Sequence, residues 1–182
     1  VLIACRERGC GIKTLRLSFD TERGDHLFPD PSSRWRPYPS IIDGIERPPW
    51  VFVRGHWRGV LHLIVLASQP GHRAYRIDVS CEIFAGFEEM IYSVSGHGNS
   101  KGVYDGGVYI KEAESSALLT AYATIDPAGR TPRHFLFVGS DYCYEVIGFS
   151  EPVITAFRDA AEAYEWRPRQ ERDVTGGRTD QQ

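Results

Sequence analysis

The segment Tyr75–Ile83 alternates without a break. Tyr75, Ile77, Val79, Cys81 and Ile83 fall on one side, and Arg76, Asp78, Ser80 and Glu82 on the other. A period of two sends successive side chains to opposite faces of a sheet, which a helix cannot satisfy. The pattern predicts the apolar set buried on one face of an antiparallel sheet, with Arg76, Asp78 and Glu82 more exposed. Similar signals recur. Leu15, Leu17 and Phe19 alternate with Arg16 and Ser18. Trp50–Arg54 and Gly59–Ala67 read as a hairpin joined by Gly55–Arg58, and the second run is so continuously apolar that it calls for cover on both faces. Phe84–Ser95 fits both periods and is read as a strand after a turn at Ala85–Gly86. Val108–Lys111 reads as a short strand, and Phe135–Val138 with Tyr142–Phe149 as a hairpin around Gly139-Ser140-Asp141.

Two segments carry helical spacing. In Glu112–Ile125, the residues Ala117, Leu118, Ala121, Tyr122 and Ile125 form one stripe, stopped by Asp126-Pro127. In Pro152–Trp166, Val153, Ala156, Phe157, Ala160, Ala161 and Tyr164 share a face, with Pro152 suited to a first turn. Strands come in runs and no strict strand–helix alternation appears. The expected class is α+β: a mainly antiparallel sheet of about six to seven strands with two helices, one late in the chain. Residues 1–11 read as a poorly defined N-terminal extension, 12–166 as a single α+β domain and 167–182 as a polar, frayed tail.

The chain has 182 residues, 42% of them apolar, enough to build a core without a disulfide or metal staple. It contains no apolar run long enough to span a bilayer, so no membrane association is expected. Val1–Cys5 is too short for a secretory signal, and charges follow it at once. Cys5, Cys10, Cys81 and Cys143 form no CxxC pair. Cys81 and Cys143 sit in strand patterns as small buried hydrophobes, which suits a reduced, cytoplasmic protein.

The net charge of −3 conceals an uneven layout. Residues 1–76 hold 12 Lys and Arg against 7 Asp and Glu; residues 77–166 hold 5 against 14. A fold that separated the two segments would be a dipole, and one that interleaved them would average the charge out. Without a basic domain, nucleic acid is disfavoured as a partner.

Asp20–Pro49 contains Pro29, Pro31, Pro37, Pro39, Pro48 and Pro49, a density that forbids helix interiors and central strands. Its aromatics Trp35 and Tyr38, with Trp50 next to it, would be wasted in solvent, so the stretch is expected to pack along the sheet and rim a binding surface. Arg34, Trp35, Arg36 and Tyr38 there, with Trp57 in Arg54-Gly55-His56-Trp57-Arg58, interleave cations with rings as interface anchors do.

Gly96-His97-Gly98-Asn99-Ser100-Lys101-Gly102 is the most site-like loop. Its glycines let backbone N–H groups approach an anion, Lys101 could neutralise one, and His97 could act as a base oriented by Asp105. It matches neither GxxxxGK[ST] nor GxGxxG. Asp25-His26, Asp30 and Asp43 follow no metal-ligand spacing, so neither metal nor cofactor is expected. His62 and His134 could converge if their strands were neighbours, although a buried neutral imidazole is the simpler reading of His62. No GxSxG elbow occurs, and acidic neighbours would raise the thiol pKa of Cys143. The functional expectation is a non-catalytic binding module of a small soluble bacterial-type protein, engaging a protein partner or small ligand. The alternative is a small hydrolase-like enzyme with a site in the Gly96–Gly107 loop using His97 and Asp105.

Overall fold

The computed structural model describes residues 2–5, 13–15, 33–67, 73–88, 107–125 and 129–165. The Gly96–Gly102 loop with His97 and Lys101, Asp105, most of Asp20–Pro49 before Ser33, Cys10 and the 167–182 tail lie outside them. The described residues form eleven strands and two helices. The strands are β1 (Leu2–Cys5), β2 (Lys13–Leu15), β3 (Arg34–Pro37), β4 (Trp50–Trp57), β5 (Val60–Leu66), β6 (Ala74–Ser80), β7 (Ile83–Glu88), β8 (Ile110–Ser115), β9 (Arg133–Val138), β10 (Tyr142–Gly148) and β11 (Val153–Phe157). The helices are α1 (Ala117–Ile125) and α2 (Ala160–Glu165).

The α+β class and the antiparallel pairing agree with expectation, but the strands make two sheets, not one. The larger runs β2-β1-β7-β10-β9-β8-β3 and the smaller β11-β6-β5-β4. Val51, Leu61, Leu63, Val65, Ile77 and Val79 of the smaller sheet pack against Phe84, Ile110, Phe135, Phe137 and Val146 of the larger. Each outer face then takes a helix. Leu118 and Tyr122 of α1 lie with Leu136, Val138, Cys143 and Ile147 of the larger sheet. Ala163 of α2 lies with Ile64, Ala74 and Phe157 of the smaller. The order is helix, sheet, sheet, helix. Both charge segments contribute to both sheets, so the two are interleaved.

The long alternation of 75–83 divides where the chain changes sheet. β6 ends at Ser80, Cys81 N–H bonds Gly59 O in one sheet, and Glu82 N–H bonds Ile147 O in the other. Tyr75, Ile77, Val79 and Cys81 are buried between the sheets as expected. Ile83 instead packs toward the outer layer under α1. Arg76, expected on an exposed face, is 0% accessible, because the outer face of the smaller sheet is itself covered. Asp78 and Glu82 are half-buried. β7 runs straight through Ala85–Gly86, where a turn was expected; Tyr144, opposite Gly86 in β10, lays its ring over the space a Cβ would fill.

Both helices start later than their periodicity suggests. Ile110–Ser115 is strand, and Ser116 begins α1 as its cap, its Oγ accepting the Leu119 N–H at 2.9 Å. Val153–Phe157 is strand, in keeping with three successive β-branched residues, Val153, Ile154 and Thr155. Asp159 then caps α2 by accepting the Glu162 N–H at 2.9 Å. Leu2–Cys5, ahead of the expected domain start, pairs with both β2 and β7. In the β4–β5 hairpin the strands run on to a two-residue turn. Arg58 and Gly59 both have positive φ, 53° and 75°, as a turn matched to strand twist requires.

Residues 33–49 pack on the sandwich. Ile42 is buried in the central core, Tyr38 N–H bonds Ile110 O, and Tyr109 O–H donates to Ile45 O. Asp43 closes a turn by accepting the Ser40 N–H at 2.7 Å.

The change of sheet at Ser80 meets a second one after Gly148, which leads to β11. A Cβ on Gly148 would fall on the Ser80 carbonyl oxygen. Gly148→Ala is therefore expected to cost about 3 kcal/mol or more, because backbone must give way. Gly44→Ala, at φ 82° with open space around it, should cost only about 1 kcal/mol. Urea denaturation of the two variants checks the order.

Candidate functional site

Each outer face holds one buried histidine within a polar cluster. On the smaller sheet, His62 of β5 lies directly across from Asp78 of β6. Asp78 Oδ1 accepts Arg76 Nε–H at 2.7 Å and stands 2.6 Å from His62 Nδ1. Arg76 Nη2 is also 2.7 Å from that Nδ1. One ring nitrogen cannot donate and accept together, and a carboxylate can only accept, so with Asp78 ionised the His62 Nδ1–H donates to it and Arg76 is held by its own bond to Asp78. Burial pushes the Asp78 carboxyl up, but the hydrogen bonds from His62 and Arg76, with the guanidinium charge, hold it below its ordinary value.

Trp57 covers this cluster. Its ring stacks on His62 at 3.6 Å between centroids, 22° from parallel. Gly55, paired with His62, makes this possible: a Cβ there would sit 2.7 Å from the Trp57 ring. Arg54, at the bulge between Val53 and Gly55, lies over the Trp57 ring at 5.6 Å and over Tyr164 of α2 at 5.9 Å. The row from His62 to Tyr164 thus alternates rings and cation and ties β4 to α2.

On the larger sheet, His134 is wholly buried beneath α1. Its Nδ1 shares a hydrogen bond with the Ser116 hydroxyl at 3.0 Å, and Glu145 Oε2 lies 3.2 Å from its Nε2, out of line for a hydrogen bond. Carboxylate, imidazole and hydroxyl stand in the order of an acid–base–nucleophile relay. Ser116 Oγ, however, already holds the Leu119 N–H, and the residue is only 5% accessible. Its hydroxyl anchors α1 to the sheet. Trp35 meets His134 edge-on at 4.8 Å.

A third cluster lies where β3, β8 and β9 adjoin. Glu112 accepts Arg36 Nη2–H at 2.7 Å and Arg133 Nε–H at 2.6 Å, and Arg133 reaches Glu151 at 3.0 Å. Burial pushes the Glu112 carboxyl up, and the two guanidinium groups more than reverse it. The Glu112 hydrogen bond raises Arg133 further. Tyr38, 5.9 Å below the Arg133 guanidinium, is raised by burial and by the Glu151 charge.

The proposed anchors are therefore dispersed. Trp35 packs with the outer core of the larger sheet. Arg36 and Tyr38 belong to the Glu112 cluster, Arg34 is exposed on β3, and Trp57 lies on the other sheet. His62 and His134 do not converge: the central core separates them. His97, Lys101 and Asp105 lie outside the described residues.

The side chains that do share an exposed face are Trp50 and Phe52 of β4 and Tyr164 of α2, at 44%, 43% and 53% accessibility. Trp50 and Phe52 pair with Leu66 and Ile64 on the outer side of the smaller sheet, next to the layer of α2. The sequence carried a signal for them. Trp50-Val51-Phe52-Val53 is apolar on both faces, so at a sheet edge one row must look outward. Comparison with protein-family models, curated proteins and solved structures gives no match.

Two expectations follow from these contacts. Asp78 and Glu112 have folded pKa values below their ordinary 3.8 and 4.5. As pH falls, the unfolded chain takes up these protons first, so their contribution is complete above the ordinary values and is lost below them. Stability should decline as pH drops through 4.5 and 3.8 toward the folded values, and Asp78→Asn with Glu112→Gln should flatten that decline in urea melts. Trp35→Ala should destabilise the fold by about 2 kcal/mol through lost packing. A melting temperature unchanged in that variant would return Trp35 to the surface.

Proposed function

We propose that this protein is an interaction module that binds a protein partner through the outer face of β4 and α2. The carrying observation is the group of large exposed side chains, Trp50, Phe52 and Tyr164, on one face of the smaller sheet. Aromatic residues with arginine are the usual anchors of protein interfaces, and Arg54 lies over the Tyr164 ring. Support also comes from rigidity. The face rests on the Trp57–His62–Asp78–Arg76 cluster, whose hydrogen bonds and ring stacking fix the backbone of β4 before any partner arrives. No helix among the described residues is long and apolar enough to cross a membrane. The proposed setting is the cytoplasm, which suits the buried thiols of Cys81 and Cys143, neither of them in a disulfide.

Combined replacement Trp50→Ser and Phe52→Ser tests the reading. Both residues are exposed, so the melting temperature should shift by only a few degrees while affinity for the captured partner falls by about thirtyfold or more. Affinity purification of wild type and variant, followed by mass spectrometry and titration of the partner found, provides the measurement. Equal affinity of the two proteins for that partner would refute the assignment.

A further inference from the structure

We infer that β4 is the seam of a twofold dimer, in which the strands of two copies pair antiparallel and join their smaller sheets. The inference rests on the interaction face proposed above and names its occupant, a second copy of this chain.

Among the described residues β4 pairs only with β5, so its eight residues form an edge of the smaller sheet. Unpaired backbone groups along such an edge are a template for another strand. Its inner side chain Val51 is buried in the core, and Trp50 and Phe52 stand exposed on the outer side. An added strand would extend a sheet whose inner face is already covered.

The strand is also complementary to itself. Its first half carries Trp50 and Phe52, and its second half carries Arg54 at the bulge. An axis through Val53 sets Phe52 of each copy beside Arg54 of the other, with both side chains on the outer face. Ring and guanidinium then meet twice, once on each side of the axis. Parallel pairing in register would instead oppose Arg54 to Arg54. A bulge and a charge ordinarily blunt a sheet edge against indiscriminate pairing. Here they select the one orientation in which the cation meets a ring.

Light scattering on the full chain across micromolar concentrations should give twice the 20.5 kDa monomer mass. Phe52→Lys places a cation beside Arg54 of the other copy and should weaken the dimer by about a hundredfold or more. The Phe52→Lys, Arg54→Glu double variant restores opposite charges across the seam and should recover the dimer. A native-like circular dichroism spectrum and cooperative unfolding of Phe52→Lys exclude misfolding as the cause, since loss of the dimer by itself lowers the melting temperature. A wild-type monomer at every concentration overturns the seam, as does a dimer indifferent to Phe52→Lys. If the wild type is monomeric while the Trp50→Ser, Phe52→Ser variant still loses a different protein, the seam alone falls and the interaction face stands.

Discussion

The two sheets are joined at a corner where backbone touches backbone. Gly148 comes so close to Ser80 that no other side chain fits, and the Ser80 hydroxyl accepts the N–H groups of Phe149 and Ser150 at 2.7 and 2.8 Å. The chain leaves the smaller sheet on one side of this contact and re-enters it on the other. The crossing after Ser80 sets where β7 begins, and the crossing after Gly148 delivers β11 to its place beside β6. Most residues of the central core lie on strands whose position this corner helps to fix. The serine oxygen also answers two amide groups that the change of direction takes out of the ladder, which would otherwise remain unpaired.

Covering both outer faces changes what an alternating strand means. In a two-layer protein the polar side of such a strand faces water. In this four-layer arrangement the polar sides of β5, β6, β9 and β10 are buried as well, and His62, Arg76, His134 and Glu145 are all nearly inaccessible. Buried charge is tolerated only where it is paired. Asp78 offers one oxygen to both Arg76 and His62, and Trp57 closes the cluster with a polarisable face. Polar residues in strand patterns thus become internal braces, and the exposed aromatics of β4 sit directly beside one of them.

Strand positions were legible from periodicity, since β4 to β6, β9 and β10 lie close to where alternation puts them. The number of sheets was not. Nothing in Tyr75–Ile83 marks a change of sheet, because the pattern keeps its phase through Cys81 while the chain turns. Helix starts were read too early for a related reason. Val153, Ala156 and Phe157 belong to an apolar stripe that also serves a strand, Glu112–Ser115 precede the first residue of their stripe, and only the caps Ser116 and Asp159 mark where the helices begin. For the candidate site, clustering in sequence did not translate into clustering in space. Arg34, Trp35, Arg36 and Tyr38 are adjacent in the chain, yet alternation along β3 sends neighbours to opposite faces. Trp50, Phe52 and Tyr164 are distant in sequence and meet only through the β4–α2 layer.

The placement of β11 bears on the order of assembly. β4, β5 and β6 form a meander closed by short connections, and their pairings can form locally. The last strand of that sheet is supplied from beyond β10, so Val153–Phe157 must wait for a loop of more than seventy residues to close onto Ala74–Asp78. α2 follows β11 directly and covers the hydrophobic outer face only once that strand is seated. During synthesis, a three-stranded sheet with an open edge at β6 and an uncovered Ile64 would therefore emerge well before its own cover. The C-terminal quarter of the chain acts as a late-arriving shield, and a nascent chain halted before it would leave the seven-residue β6 as the open edge in place of the five-residue β11.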